Sequence, residues 1–206
     1  EKLDWMLASL FKMVRLEQKA ITFEAKPQKI LETIQRAVES VYEKAEKRDI
    51  AIYVDIKEDQ VLWHNRRWTA EVFENLLENA VKYANPGTKI MILQETYETY
   101  TEIHVKDEGR GIPKEEWNRI FQRFYRGKGT EDIEGSGIGL YLSRLILEME
   151  QGALTVESEV GNGSCFTVFL QNCKNFSEKK YRICISGKQS DSNTQCRRKY
   201  CAASFV

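Results

Sequence analysis

The sequence predicts an α+β fold: a two-layer sandwich in which helices cover one face of a mixed sheet, preceded by one long bundle helix. Three observations predict it. Apolar residues recur at helical spacing in four stretches, β-branched and apolar runs of strand length lie between them, and the order of the two does not repeat as βαβ units. With 206 residues, 42% hydrophobic and 11% aromatic, the chain can bury one core and a small appendage.

In the opening stretch, Leu3, Leu7, Leu10 and Val14 alternate spacings of four and three, the seam of a coiled coil or helical bundle. Lys26-Pro27 breaks that pattern, and Ile30, Ile34, Val38 and Val41 open a second helix running through Arg48. Residues 50–56 read as a strand with 61–63 as a short partner, and the helical period returns from Trp68 to Ala84, stopped by Asn85-Pro86-Gly87. Strands follow at 89–97 and 100–106, then a glycine-rich loop over 107–136, a helix over 138–149, and a hairpin of 153–159 and 164–170 around Gly161-Asn162-Gly163.

Charge and cysteine content narrow the function classes. Lys+Arg and Asp+Glu are 31 each, which argues against a whole-chain footprint for nucleic acid or an anionic membrane. From Gln171 to Val206, however, eight Lys/Arg face two Asp/Glu. Four of the five cysteines (Cys173, Cys184, Cys196, Cys201) lie in that basic tail, without paired C-x-x-C spacing, so neither a disulfide framework in the body nor a zinc site in the tail is expected. No run approaches the roughly 20 apolar residues that span a bilayer, and the chain begins at Glu1 within a helical pattern. The expectation is a soluble, cytoplasmic piece of a larger protein, any membrane anchor lying upstream.

Three segments carry chemistry. Asn75, Asn79 and Lys82 share one helical face, with Tyr83 at its margin and Val72, Phe73, Leu76, Leu77, Ala80 and Val81 behind. An amide oxygen suits Mg²⁺ and an ammonium suits phosphate, although such a stripe is also what any solvated face offers. In KDEGRGIP (106–113), Asp107 can accept from an exocyclic amine while Gly109 and Gly111 admit close backbone approach; the same letters also spell a turn. In EGSGIGLYLSRLI (134–146), Gly135, Gly137 and Gly139 open a helix whose N-terminal amides can bind phosphate, but no strand precedes them as in a dinucleotide fold, and no P-loop occurs.

In this order, with the aromatic stretch IFQRFYRG between the last two, the segments resemble the N, G1, F and G2 boxes of the histidine kinase ATP-binding domain, in the superfamily that includes gyrase, MutL and heat-shock chaperones. The resemblance spans about residues 1–170. It implies that Asn79 coordinates Mg²⁺ with Asn75 in support, that Lys82 and Arg126 meet phosphate, that Tyr83 lies against adenine, and that Asp107 holds the adenine amine in a pocket shaped by Gly109 and Gly111. Phe121 and Phe124 would anchor a lid, and Gly135, Gly137, Gly139 and Leu140 would close on the nucleotide. Where the superfamily's hydrolases carry a Glu, this chain has Asn75, which favours transfer over hydrolysis, with Glu71 and Glu78 left open as alternative bases.

The function so implied is that of a two-component sensor kinase passing the γ-phosphate of ATP to a histidine upstream of Glu1, for relay to a response regulator, with dimerisation through the bundle helix. A conformational ATPase and a non-catalytic dimerisation module are the alternatives. His64 and His104 lack the acceptor context and are expected to be structural. The domain expectation is 1–24 for the second bundle helix, 25–170 for the ATP-binding domain, and 171–206 for a disordered or non-native tail.

Overall fold

The computed structural model describes residues 2–18, 24–130, 133, 135–173, 181–184 and 201–204. Four helices form: α1 (Lys2–Glu17), α2 (Ile30–Glu46), α3 (Arg66–Tyr83) and α4 (Gly139–Met149). Seven strands build the main sheet: β1 (Lys26–Lys29), β2 (Ala51–Asp55), β3 (Val61–His64), β4 (Lys89–Thr96), β5 (Tyr100–Lys106), β6 (Ala153–Glu159) and β7 (Gly163–Asn172). Their order is β1-β3-β7-β5-β4-β2, with β6 also on β7, and only β2–β4 is parallel, so the sheet is mixed.

Alternation along the strands decides which face meets the helices. Ile90, Ile92, Ile103, Val105, Leu154, Val156, Phe166, Val168 and Leu170 are buried at alternate positions, and the ladder sets Ile92 across from Val105 and Val105 across from Phe166. α3 brings Phe73, Leu76 and Leu77 onto this face, each fully buried and contributing about 1.5–3 kcal/mol. It lies between α2 and α4, with α1 against α4. The expected two-layer α+β arrangement is therefore present.

The helix ends are tied by side chains. Asn65 caps α3, its Oδ1 accepting from the Arg67 and Trp68 amides, so the helix starts two residues before the expected Trp68. Asp59 accepts from the Leu31 amide at the start of α2. Glu150, just past α4, is fully buried and its Oε1 accepts from the Asn65 amide and the Thr69 hydroxyl, both at 2.7 Å. Burial pushes its carboxyl up to about 7.

Two readings of the sequence need correction. Lys26-Pro27 is part of edge strand β1, where Pro27 lacks only an N–H that an edge can spare. In consequence 61–63 partners β1 and β7 rather than the strand at 50–56, which pairs in parallel with β4. The helix expected to reach about residue 24 ends at Glu17, and residues 19–23 lie outside the described ones. On α1, Met13 and Leu16 are buried against the domain, whereas Leu7, Phe11 and Val14 remain exposed. In the tail, Tyr181–Cys184 and Cys201–Ser204 pair as a separate antiparallel ribbon; 174–180, 185–200 and 205–206 lie outside the described residues. No described helix is long and apolar enough to cross a membrane.

Candidate functional site

The polar face of α3, the end of β5, the loop after it and the first turn of α4 enclose a cavity of about 840 Å³. Asn75, Asn79, Lys82, Tyr83, Asp107, Gly111, Arg126, Gly135, Gly137, Gly139 and Leu140 all line it. Although the chain is neutral, the wall carries six Lys/Arg against three Asp/Glu, a field suited to a polyanion.

Asp107 lines the cavity at the end of β5. It is 4% exposed, and its Oδ1 accepts from the Gly109 amide at 2.8 Å and the Ser164 amide at 3.3 Å. Both bonds fall on Oδ1, so Oδ2 is the oxygen left for a cavity ligand. Burial raises the carboxyl's pKa and the two amides oppose that rise. The glycines here pack against protein backbone: a Cβ at Gly109 would stand 2.4 Å from the Tyr83 carbonyl, and one at Gly111 2.0 Å from the Glu159 carbonyl. Gly109 accordingly does not line the cavity, and it acts by letting the chain close behind Asp107.

Along α3, Asn75 Nδ2 donates to Ser143 Oγ at 3.3 Å, and Gly139 leaves room beside Asn75 Oδ1, which a Cβ would approach to 3.1 Å. Lys82 Nζ lies 5.4 Å from the Tyr83 ring centroid and reaches Gly135, where a Cβ would come within 2.7 Å. The Tyr83 hydroxyl is held above its ordinary pKa by burial. Glu71 is bonded to Lys12 at 2.7 and 2.9 Å and Glu78 to Lys44, while the carboxyl of Glu74, beside Asn75, is held above its ordinary pKa chiefly by burial.

The loop over the cavity holds the aromatic stretch, and its residues separate. Phe121 is buried in the core, but Phe124 is 55% exposed with φ +59°, and neither ring lines the cavity. The Phe124 amide donates to the Gly137 carbonyl, and Gly137, with φ +70°, packs on the Phe124 backbone. Arg126 donates to the Thr130 and Ile133 carbonyls, so in this conformation it braces the loop.

The sequence reading missed Arg48, Arg110 and Ser164. Arg48 donates to the Val81, Lys82 and Ala84 carbonyls, closing the C-terminal end of α3 with a favourable charge. Arg110 donates to the Gly129 and Lys128 carbonyls at 2.6 and 2.9 Å. Arg110 stood inside the quoted KDEGRGIP, a signal that was available; Arg48 and Ser164 act across long sequence separations. His64 is fully buried between Thr33 Oγ1 (2.9 Å) and the Leu62 carbonyl (3.1 Å), with its pKa lowered chiefly by burial, as befits a structural residue.

Known proteins share the family and the fold. The family described as "Histidine kinase-, DNA gyrase B-, and HSP90-like ATPase" matches residues 64–173. Sensor histidine kinase YvrG of Bacillus subtilis is 27% identical over 173 residues, 83% of this chain and 30% of YvrG. The chain thus spans under a third of the curated relatives it matches. Among solved structures, the catalytic domain of histidine kinase ThkA superposes with a TM-score of 0.64 at 26% identity, covering 72% of this chain and 96% of that one. Full-length ShkA, solved in complex with AMPPNP, shares the fold at a TM-score of 0.73 and 20% identity, over 83% of this chain and 36% of ShkA.

Proposed function

Since the chain belongs to the histidine kinase-, DNA gyrase B- and HSP90-like ATPase family, we propose that it is the ATP-binding catalytic region of a sensor histidine kinase, one that hands the γ-phosphate of ATP to a histidine on a preceding helix for relay to a response-regulator aspartate. The observation that carries this reading is an amide in place of the carboxylate that a hydrolase uses as its base. That position is Asn75, and Glu71 and Glu78 beside it are held by Lys12 and Lys44. Such a site orients the γ-phosphate without activating water, which leaves transfer to an incoming nucleophile as its chemistry.

Asp107 Oδ2 accepts the adenine amine, and Tyr83 lies beside the base. Lys82, reaching towards Gly135, and the amides at the start of α4 hold the phosphates. Arg126 meets the γ-phosphate only after exchanging its loop carbonyls for it. Asn79, with Asn75 behind it, offers the hard amide oxygens that Mg²⁺ prefers, and the gap left by Gly139 beside Asn75 keeps that side of the cavity open. Bound there, Mg²⁺ would neutralise phosphate charge. The exposed Leu7, Phe11 and Val14 of α1 suit packing in a bundle, and so homodimerisation of the parent protein.

The test is incubation of the full-length parent with γ-labelled ATP and Mg²⁺, then acid and alkali treatment. Protein label stable to alkali and lost in acid is the expected result. Labelled phosphate released to solvent, with none on protein, would instead make this a hydrolase, and failure to bind ATP would make it a dimerisation module.

A further inference from the structure

The sheet face turned away from the helices carries a polar cluster that the nucleotide cavity does not use. Glu102 and His104 alternate along β5 with the core residues Ile103 and Val105, so their side chains leave on the opposite side. Antiparallel pairing sets Glu95 of β4 directly across from Glu102, and Thr167 of β7 directly across from His104. The ligand atoms of Glu95, Glu102 and His104 all lie within 4.8 Å of one another.

Three features of this cluster point to a cation. Glu102 is 5% exposed and its Oε1 has no hydrogen-bond partner; His104 Nε2 is likewise buried and without one. Two carboxylates directly opposed across a ladder repel each other, and among the described residues no Lys or Arg is paired with either. His104 Nε2 stands 3.5 Å from Glu102 Oε2, long for a hydrogen bond but close to the roughly 3.4 Å between two ligands each about 2.1 Å from a tetrahedral ion.

The surroundings orient these groups as a metal's outer contacts do. His104 Nδ1 lies 3.0 Å from Thr167 Oγ1, and with Nδ1–H donated to that hydroxyl the lone pair falls on Nε2, facing the carboxylates. The Tyr97 hydroxyl donates to Glu95 Oε2 at 2.9 Å, which leaves Oε1 for a further partner. We propose that Glu95, Glu102 and His104 form a divalent transition-metal site, of the mixed imidazole and carboxylate class that Zn²⁺ fills, clipping the β4–β5 hairpin on the side opposite the nucleotide cavity. The imidazole separates it from an all-oxygen Mg²⁺ site.

The test is titration of the nucleotide-free protein with Co²⁺, followed by optical absorption and by displacement with Zn²⁺. One equivalent should bind without a sulfur-to-metal charge-transfer band, and Glu95→Gln and His104→Gln should each weaken binding at least about tenfold. Glu95 is exposed, so its substitution decides the matter even if the His104 variant folds poorly. No Co²⁺ uptake, equal affinity in Glu95→Gln, or a thiolate band locating the metal on cysteines would each overturn the proposal.

Discussion

The two walls of the cavity are held by different kinds of contact. Around Asp107 the chain closes through backbone packing: two amides on one buried carboxylate oxygen, and glycines pressed against the Tyr83 and Glu159 carbonyls. Over the opposite side, the loop is braced by arginine side chains on loop carbonyls, and Phe124 projects into solvent with φ +59°. Contacts of the first kind break only with the core, whereas those of the second exchange without unfolding it. The wall around Asp107 is preformed, and the loop facing it can move; under the proposed function these are the parts that would meet the base and the γ-phosphate.

Gly111→Ala should break this contrast most severely. The residue has φ +70° and its Cβ would fall 2.0 Å from the Glu159 carbonyl, so a loss of about 4 kcal/mol or more in urea unfolding is expected. A stability within about 0.5 kcal/mol of the parent would show that the Asp107 wall yields as easily as the loop.

Glu150→Gln probes the core behind both walls, where the end of α4 is tied to the start of α3. The folded-state value of about 7 lies above the ordinary 4.5, so the folded protein keeps a proton that the unfolded chain has already lost. Stability should therefore fall as pH rises from about 5 to 7 and level off above, a penalty of about 3 kcal/mol. The Gln variant should lack that slope and be the more stable at pH 8. A parent whose unfolding free energy is flat across the window would refute the assignment.

The smallest effect on stability is expected for Arg126→Ala. Global unfolding should shift by less than about 0.5 kcal/mol, while amide exchange and proteolysis around Gly127 to Thr130 accelerate. Equal protection in parent and variant would mean that the loop is held by something other than Arg126.

What the sequence made legible follows the same division. The apolar period of α3, its amide stripe and its Asn-Pro-Gly stop locate one wall by local pattern alone, and the alternation of Thr101, Ile103 and Val105 with Glu102, His104 and Lys106 marks the helix-facing side of β5, whereas β7 is buried on both faces. Sheet order was not legible, because Pro27 looks like a breaker until an edge position makes its missing N–H harmless, and nothing local says that β3 avoids β2. The role of Arg48 depends on a helix more than thirty residues away. Register is similarly invisible: Glu95, Glu102 and His104 become a cluster only once β4 and β5 pair. The loop escaped for a third reason, since residue types do not reveal which carbonyls Arg126 holds in one conformation.

The most direct measurement is calorimetric titration of ATP-Mg²⁺ into the parent and into Asp107→Asn. Loss of a charged hydrogen-bond acceptor for the adenine amine should weaken binding about ten- to a hundredfold, corresponding to about 1.5–3 kcal/mol, while the folded structure persists. Unchanged affinity in a folded Asp107→Asn protein would contradict the assignment of this wall to the base, and with it the account of the cavity.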